Sequence, residues 1–257
     1  MNERLLFFCP QMEDLAKRVA NNSSLRIHLG TIEWKEFSDS FPDIFIRNVE
    51  FLRHCDVTFL ASFDTPYEVF CQLAVIYALP RYGAKSLRVI LPYFPTGTME
   101  RVDKEGTIAT AMTLARQLTA TPLTASGPVE FVIVDIHALQ ERFYFGDNIA
   151  PRLVSAIPLL KERIRDIKNV AIAFPDEGAY KRFGGMFQEY PLILCHKLRH
   201  GSERKVTILE GDPAEKHVVI VDDLIMSGGT LIACEQKLFK HGACEVSAYA
   251  THGVFPK

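Results

Sequence analysis

Continuous apolar runs alternate along the chain with segments in which apolar residues recur at helical spacing. The apolar runs predict strands that are covered on both faces: RLLFFC, DVTFLAS, LRVILPYF, VEFVIVDI, VAIAFP, LILCHK, HVVIV and EVSAYATH. Helical spacing occurs in MEDLAKRVANN, PYEVFCQLAVIYAL, TIATAMTLARQLT, NIAPRLVSAIPLLKERIRD and GTLIACEQKLFKHGA, and Pro80 and Gly242 are interpreted as stop signals after two of these helices. This alternation predicts an α/β protein with largely parallel sheets.

The order strand, polar loop, helix occurs once in each half of the chain. It is found as LRVILPYFPTGTMERVDKEGTIATAMTLARQL and again as HVVIVDDLIMSGGTLIACEQKLF. A chain of 257 residues can form two domains of ordinary size. The sequence therefore predicts two similar α/β domains, residues 1–150 and 151–257.

Composition and charge narrow the classes of partner. Lys and Arg together number 29 against 31 Asp and Glu, so no charge excess favours a nucleic acid or an anionic membrane. The N-terminal stretch has neither the pattern of a signal peptide nor that of a membrane span. The six cysteines form no C-x-x-C pair, which predicts free, buried thiols in a reducing compartment such as the cytoplasm.

The stretch HVVIVDDLIMSGGTL combines two carboxylates with a loop of small residues. Asp222 and Asp223 follow the predicted strand HVVIV, at the end where parallel sheets bind ligands. Four small residues then open a helix, and their amides and hydroxyls suit a phosphate monoester: Ser227, Gly228, Gly229 and Thr230. The acids would repel the phosphate unless ribose hydroxyls or Mg²⁺ lay between. A P-loop is the rival interpretation, but its lysine is missing.

This stretch resembles the phosphoribosyl pyrophosphate (PRPP) motif shared by type I phosphoribosyltransferases and PRPP synthetases. Further similarity to the synthetases, also called ribose-phosphate diphosphokinases, is found in KEFSDSFPDIFI, LPYFPTGTMERVDKEG, VDIHALQERFYFGD, AFPDEGAYKRF, CHKLRHG and THGVFP. PTGTMER, HALQERFYFGD and SGGTL are most like the plant-type, class II enzymes. The resemblance implies two domains of the type I phosphoribosyltransferase fold, each with a mainly parallel sheet flanked by helices.

The resemblance also implies an activity, the transfer of the pyrophosphoryl group of ATP to the anomeric hydroxyl of ribose 5-phosphate with Mg²⁺ as cofactor. Asp222 and Asp223 would then bind the ribose hydroxyls, and residues 227–230 would bind the 5-phosphate. Lys197 and Arg199 match the catalytic basic pair of the family. The segment HGSERKVTILEGD after them is polar, and we expect it to be a loop that closes as a lid.

The nucleotide and metal roles implied by the resemblance fall mostly in the first half of the chain. The ATP-binding positions are Phe37, Asp39, Arg101, Asp103 and His137, and the metal positions are His137 and Asp176. The family's loop at Phe37 and Asp39 reaches the adenine of a neighbouring subunit. A homo-oligomer, or a hetero-oligomer with full-length synthetases, is therefore expected.

The chain departs from the family pattern in three places. Thr98, Met99 and Glu100 occupy positions where bacterial and mammalian synthetases have Arg-Gln-Asp, and Phe41 replaces a glutamate, so we expect looser nucleotide selectivity. Met226 replaces an aspartate that many relatives have. Family members continue beyond the THGVFP strand, so a shortened second domain is predicted. Two alternatives remain open: a catalytically weak regulatory or assembly paralogue, and a type I phosphoribosyltransferase.

Overall fold

A computed structural model describes residues 4–22, 24, 26–200 and 203–255, with only the backbone described at 197–200 and 203–205. The chain divides into two compact units, Met1–Val154 and Ser155–Lys257. The sequence predicted a division near residue 150. The observed division falls after Val154 because the strand that ends there pairs within the sheet of the first unit.

The first unit is built on a six-stranded parallel sheet. Its elements are β1 (Arg4–Phe8), α1 (Glu13–Ala20), β2 (Ile27–Leu29), β3 (Ile32–Glu36), β4 (Pro42–Ile46), β5 (Asp56–Leu60), α2 (Pro66–Arg81), β6 (Ser86–Leu91), α3 (Thr110–Thr119), β7 (Val129–Val134) and β8 (Ile149–Val154). The strand order is β2-β1-β5-β6-β7-β8, and β3 and β4 form a separate hairpin. Phe59, Phe131 and Ile133 are fully buried in the core of this unit.

The second unit is built on a five-stranded, mainly parallel sheet. Its elements are α4 (Ile157–Ile164), β9 (Val170–Phe174), α5 (Glu177–Phe183), β10 (Leu192–His200), β11 (Glu203–Glu210), β12 (His217–Ile225), α6 (Gly229–Lys240) and β13 (Glu245–Gly253). The order is β11-β10-β9-β12-β13, in which only the β10–β11 pair is antiparallel. The continuous apolar run of β9 is buried at every position, as expected for a strand covered on both faces.

The prediction of α/β units with mainly parallel sheets is confirmed, and each of the eight predicted strands coincides with an observed strand. Three helix and loop predictions are wrong. Pro80 does not stop α2, which continues to Arg81, because Leu79 and Pro80 are buried against the core. The chain turns instead at Gly83, whose φ of +89° suits glycine.

The predicted helix at residues 148–166 is wrong in its first half. Residues Ile149–Val154 form β8, and α4 begins only at Ile157. Strand β8 lies at the edge of its sheet, where the missing N–H of Pro151 costs no internal ladder bond. Pro158 lies in the first turn of α4, where helices tolerate proline.

The segment predicted as a lid loop forms strand β11, antiparallel to β10. The physical reason is the alternation of its apolar residues, since Val206 and Ile208 pack against the core of the second unit. The short strands β2, β3 and β4 were not predicted. All six cysteines are free thiols, but Cys244 is exposed rather than buried. Among the residues that the structure describes, no helix combines the length and hydrophobicity needed to cross a membrane.

Candidate functional site

The order of strands in the sheet of the second unit reverses between β9 and β12. These strands are neighbours, and the chain leaves them in opposite directions: β9 leads to β10 on one side, and β12 leads to β13 on the other. Helices α5 and α6 begin just after β9 and β12. A reversal of strand order of this kind opens the crevice in which α/β proteins bind ligands.

Asp222 and Asp223 lie at this crevice. The pairing of β12 with β9 ends at Ile220, whereas its pairing with β13 continues to Ile225. Strand β12 is therefore longer than the predicted HVVIV, and the two acids lie on a stretch that has a strand neighbour on one side only. The amide of Asp223 donates to Oδ1 of Asp222 at 2.9 Å.

The electrostatics of the acid pair favour one retained proton. Burial, the neighbouring charge of Asp223 and the charge of Asp176 raise the pKa of Asp222 to about 8. Near neutral pH the carboxyl group of Asp222 is therefore mostly protonated. Such a pair can both accept hydrogen bonds from hydroxyl groups and donate one to a ligand oxygen.

The small-residue loop leads directly into α6. Gly228 has a φ of +73° and no atom within 4 Å of the position that a Cβ would occupy, so the loop is open above its backbone. Gly229 is the first residue of α6, a helix of twelve residues. The first amides of a helix have no partner within the helix and favour an anion. The structure thus brings the acids and the loop together at one edge of the sheet.

Asp176 lies after β9, at the same edge of the second unit. Its Oδ1 accepts a hydrogen bond of 3.0 Å from the amide of Ala179, so Asp176 caps the N-terminus of α5. The sequence analysis missed this capping role, although an aspartate before Glu-Gly-Ala is a recognisable cap signal. In the described part of the chain, no three His, Cys, Asp or Glu side chains are grouped closely enough to hold a metal ion.

The carboxylate oxygens at this edge nevertheless have the donor chemistry that Mg²⁺ prefers. Mg²⁺ usually takes one or two protein carboxylates and completes its shell with water and substrate phosphates. Burial is the largest cause of the raised pKa of Asp222, and a cation near Asp176, Asp222 and Asp223 would relieve the further rise that comes from the neighbouring carboxylates. These residues therefore fit a magnesium ion that is bound mainly through its substrate.

Lys197 and Arg199 belong to β10, opposite Val206 and Arg204 of β11. The apolar run LILCHK predicted a strand that ended at Lys197, but the strand continues to His200 in the hairpin with β11. Their side chains lie outside the described residues.

Phe37 and Asp39 lie at the turn of the β3–β4 hairpin in the first unit. The amide of Phe37 donates to the carbonyl of Phe41 at 2.8 Å, and Oδ1 of Asp39 accepts from the amide of Phe41 at 3.2 Å. The side chains of Phe37 and Phe41 are 56% and 63% exposed. Two aromatic rings therefore point away from the core at the hairpin tip.

Arg101 and His137 lie on neighbouring loops of the first unit, after β6 and β7. A Cβ built on the buried Gly97 would come within 3.5 Å of the Cβ of His137, so the two loops are packed together. Arg101 Nε lies 2.8 Å from Oε1 of the buried Glu100, and His137 is exposed. Asp103 is exposed farther along the same loop.

Sequence reasoning missed Glu141 and Tyr144 in this region and did not predict that Glu100 is buried. Glu100 and Glu141 are buried carboxylates, and Tyr144 Oη donates to the carbonyl of Glu100 at 2.6 Å. A glutamate three residues after a turn is a recognisable capping signal, and it could have identified Glu141. The contact between Tyr144 and Glu100 joins positions 44 residues apart and has no local signal.

Comparisons with known proteins agree with this geometry. Residues 5–121 match the N-terminal domain of ribose phosphate pyrophosphokinase, and residues 148–254 match the phosphoribosyl transferase domain. The crystal structure of phosphoribosylpyrophosphate synthetase from Mycobacterium smegmatis is similar, with a TM-score of 0.81 and 26% identity over 100% of this chain and 83% of that one. The predicted phosphoribosyltransferase-type fold is thereby confirmed.

The curated relatives include several plant proteins. Ribose-phosphate pyrophosphokinase 3, mitochondrial, from Spinacia oleracea is 54% identical over 98% of this chain and 62% of its own length. Ribose-phosphate pyrophosphokinase 4 from Oryza sativa subsp. japonica is 52% identical over 98% of this chain and 78% of its own length. The chain thus spans about three fifths to four fifths of these relatives, and the predicted resemblance to plant-type members is confirmed. The chain belongs to the ribose-phosphate pyrophosphokinase family.

Proposed function

We propose that the chain transfers the pyrophosphoryl group of ATP to the anomeric hydroxyl of ribose 5-phosphate, forming PRPP and AMP. The observation that supports this most directly is the position of Asp222 and Asp223. They lie where β9 stops pairing with β12 and directly before the open loop at Gly228, so hydroxyl acceptors and an anion site are adjacent. A ribose phosphate carries the complementary groups, hydroxyl donors and a phosphate.

The acceptor is held by two kinds of contact. Asp222 and Asp223 bind the ribose hydroxyls, and the amides and hydroxyls of residues 227–230 bind the 5-phosphate. These contacts orient the anomeric oxygen toward the β-phosphorus of ATP. The new bond joins that oxygen to the β-phosphorus, the bond from the β-phosphorus to the bridging oxygen of AMP breaks, and the hydroxyl proton passes to solvent.

Catalysis of this step depends on charge and positioning, because phosphoryl-type transfers pass through loose transition states. Lys197 and Arg199 stabilise the charge that develops on the transferred group. His137 of the first unit and Asp176 of the second are the proposed metal positions, and Mg²⁺ when bound would neutralise part of the phosphate charge. Arg101 and Asp103 contact the nucleotide within a protomer, while Phe37 and Asp39 contact the adenine bound to a neighbouring protomer, so the active form is an oligomer.

The compartment is also part of this proposal. The sequence predicts a reducing compartment such as the cytoplasm, whereas the names of relatives from Spinacia oleracea and Oryza sativa place those proteins in mitochondria and chloroplasts. Imaging of the protein fused to a fluorescent reporter in its own cells distinguishes the cytoplasm from an organelle.

Turnover of ATP with ribose 5-phosphate and Mg²⁺, followed by ³¹P NMR, tests the activity. We expect signals from AMP and from a new diphosphate ester. A folded sample without these signals would contradict the proposal and favour the catalytically weak paralogue, provided that it still bound ribose 5-phosphate. Pyrophosphate release from PRPP and a free base would instead favour a phosphoribosyltransferase.

Lys197→Ala tests the proposed catalytic role within that assay. Loss of one charge that stabilises the transition state lowers kcat by about 10² to 10³. Lys240→Ala is the matched control, because Lys240 is exposed at the opposite end of α6 from the phosphate loop. Equal activities of the two variants would exclude Lys197 from the reaction.

A further inference from the structure

A short 3₁₀ helix of the first unit, Leu139–Tyr144, contacts both loops that contain the nucleotide-binding candidates. On one side, the loop after β6 approaches it so closely that a Cβ on Gly97 would lie 3.6 Å from Oε1 of Glu141. On the other side, the loop after β7 leads into it through His137. The segment is therefore the common support of two functional loops.

Glu141 fixes the backbone beside His137. Its side chain is 0% exposed, and Oε1 accepts a hydrogen bond of 3.1 Å from the amide of Ala138, the residue after His137. The amide of Glu141 in turn donates to the carbonyl of Ala138 at 3.0 Å. On the other side of His137, the amide of Asp135 donates to the carbonyl of Val154 at 2.8 Å. The backbone around His137 is thus held at both ends.

Tyr144 fixes the loop that contains Arg101. Its hydroxyl donates to the carbonyl of Glu100 at 2.6 Å, and the carboxylate of Glu100 lies 2.8 Å from Arg101 Nε. Glu100 is only 7% exposed, so this ion pair is anchored on its acidic side. The side chain of Arg101 itself is 68% exposed and free to meet a ligand from that anchor.

A carboxylate that is fully buried is costly unless its interactions compensate for the loss of water. Two hydrogen bonds of Glu141 are made with Ala138, in the loop that contains His137. We propose that Glu141 and Tyr144 are positioning residues for the nucleotide donor, an inference that rests on the proposed function. Neither touches the nucleotide; they hold the backbone next to His137 and next to Arg101 in place.

The role of Glu141 is tested with a graded pair of variants. Glu141→Gln keeps an oxygen that can accept from Ala138, whereas Glu141→Leu removes it. We expect Glu141→Leu to raise the KM for ATP roughly 10- to 100-fold, since small displacements of binding groups have effects of this size. Glu141→Gln should recover most of that loss. The KM for ribose 5-phosphate should stay within about twofold in both variants, because the acceptor contacts belong to the other unit.

Glu130→Leu serves as the matched control. Glu130 lies on β7, the strand that precedes His137, but near the amino end, where it pairs with Arg88 and Arg152. If the loss of either glutamate only destabilised the fold, both Glu141→Leu and Glu130→Leu would lower the melting temperature. The ratio of the KM for ATP to the KM for ribose 5-phosphate would then stay unchanged in each variant. A role of Glu141 in the fold alone therefore predicts no selective change for ATP, and that result would overturn the proposal.

Tyr144→Phe removes one hydroxyl and leaves the ring in place. We expect a KM for ATP raised about tenfold or less, with no change in the KM for ribose 5-phosphate.

Calorimetric titration of ATP, without ribose 5-phosphate, repeats the comparison independently of turnover. If the wild-type chain binds ATP without turnover, the proposed function fails while the positioning role is still tested. ATP affinity unchanged in Glu141→Gln, Glu141→Leu and Tyr144→Phe would overturn the positioning role by itself.

Discussion

The carboxyl edges of the two sheets present their candidate functional groups in different ways. In the second unit, β12 leads through Met226–Gly228 directly into α6, so the acids and the helix N-terminus are neighbours in sequence. In the first unit, β6 leads into the long segment 92–109 before α3, and this segment rests on the 3₁₀ helix Leu139–Tyr144. One edge is a local motif, and the other is assembled by packing between distant parts of the chain.

This difference determines which substitutions should impair ligand binding at each edge. A local motif depends on backbone geometry, so a change at one glycine can abolish it. An assembled edge depends on buried polar contacts such as that between Tyr144 and Glu100, so changes far from the ligand can displace the binding groups. Variants of the two edges should therefore fail in different ways.

Gly228→Val should have the largest effect and should act on the acceptor edge. Valine is strained at a φ of +73°, and its side chain would occupy the open space above the loop. We expect the KM for ribose 5-phosphate to rise about 100-fold. Steady-state kinetics with ATP held at saturation measures this change.

Gly127→Val is the control for backbone strain. Gly127 has a φ of +105°, is equally open, and precedes the amino end of β7, away from both functional edges. It should lower the melting temperature by a similar amount without changing the KM for ribose 5-phosphate. A similar rise in KM in both variants would show that general destabilisation, and not the phosphate loop, is responsible.

Asp222→Asn should change the pH dependence of stability. Burial and the charges of Asp223 and Asp176 raise the pKa of Asp222 to about 8 in the folded chain, against about 4 in an unfolded one. Between those values the folded state binds the extra proton, so stability falls as pH rises from about 4 to 8. Because asparagine cannot ionise, the Asp222→Asn variant should not lose stability from this group as the pH rises.

The measurement is the melting temperature in EDTA without substrate, at pH 5 and at pH 8. Asp222→Asn should gain stability over the wild type by several degrees more at pH 8 than at pH 5. Asp166→Asn, at an exposed acid of the same unit, should show no such difference. A gain that is equal at both pH values would mean that Asp222 is ionised in the folded chain.

Asp176 should show the smallest effect on stability, and its two roles can be separated. Asp176→Ala removes the cap of α5 and should cost about 1 kcal/mol of unfolding free energy, whereas Asp176→Asn keeps the cap and should cost only a few tenths. Chemical denaturation measures both values. If Asp176 holds the metal, both variants should nevertheless require more Mg²⁺ for half-maximal activity; normal Mg²⁺ dependence in Asp176→Asn would leave only the capping role.

The sequence predicted the motif-based edge better than the assembled one. Apolar runs such as VAIAF are buried on both faces and identify parallel strands, and the positions of Asp222 to Thr230 at one edge of the sheet could be predicted because these residues are neighbours in sequence. The strand at Ile149–Val154 was mistaken for a helix because Pro151 is acceptable only at the edge of a sheet, and strand order is a tertiary property. The contribution of Glu141 and Tyr144 depends on contacts between loops that no periodicity reveals.

The central proposal is that the second unit binds ribose 5-phosphate and the first unit binds ATP. It is tested most directly by measuring the KM for each substrate in Gly228→Val and in Glu141→Leu. We expect a crossed result: Gly228→Val raises the KM for ribose 5-phosphate and leaves that for ATP within about twofold, while Glu141→Leu does the reverse. An absence of turnover in the folded wild-type chain, or a parallel rise of both KM values in each variant, would contradict it.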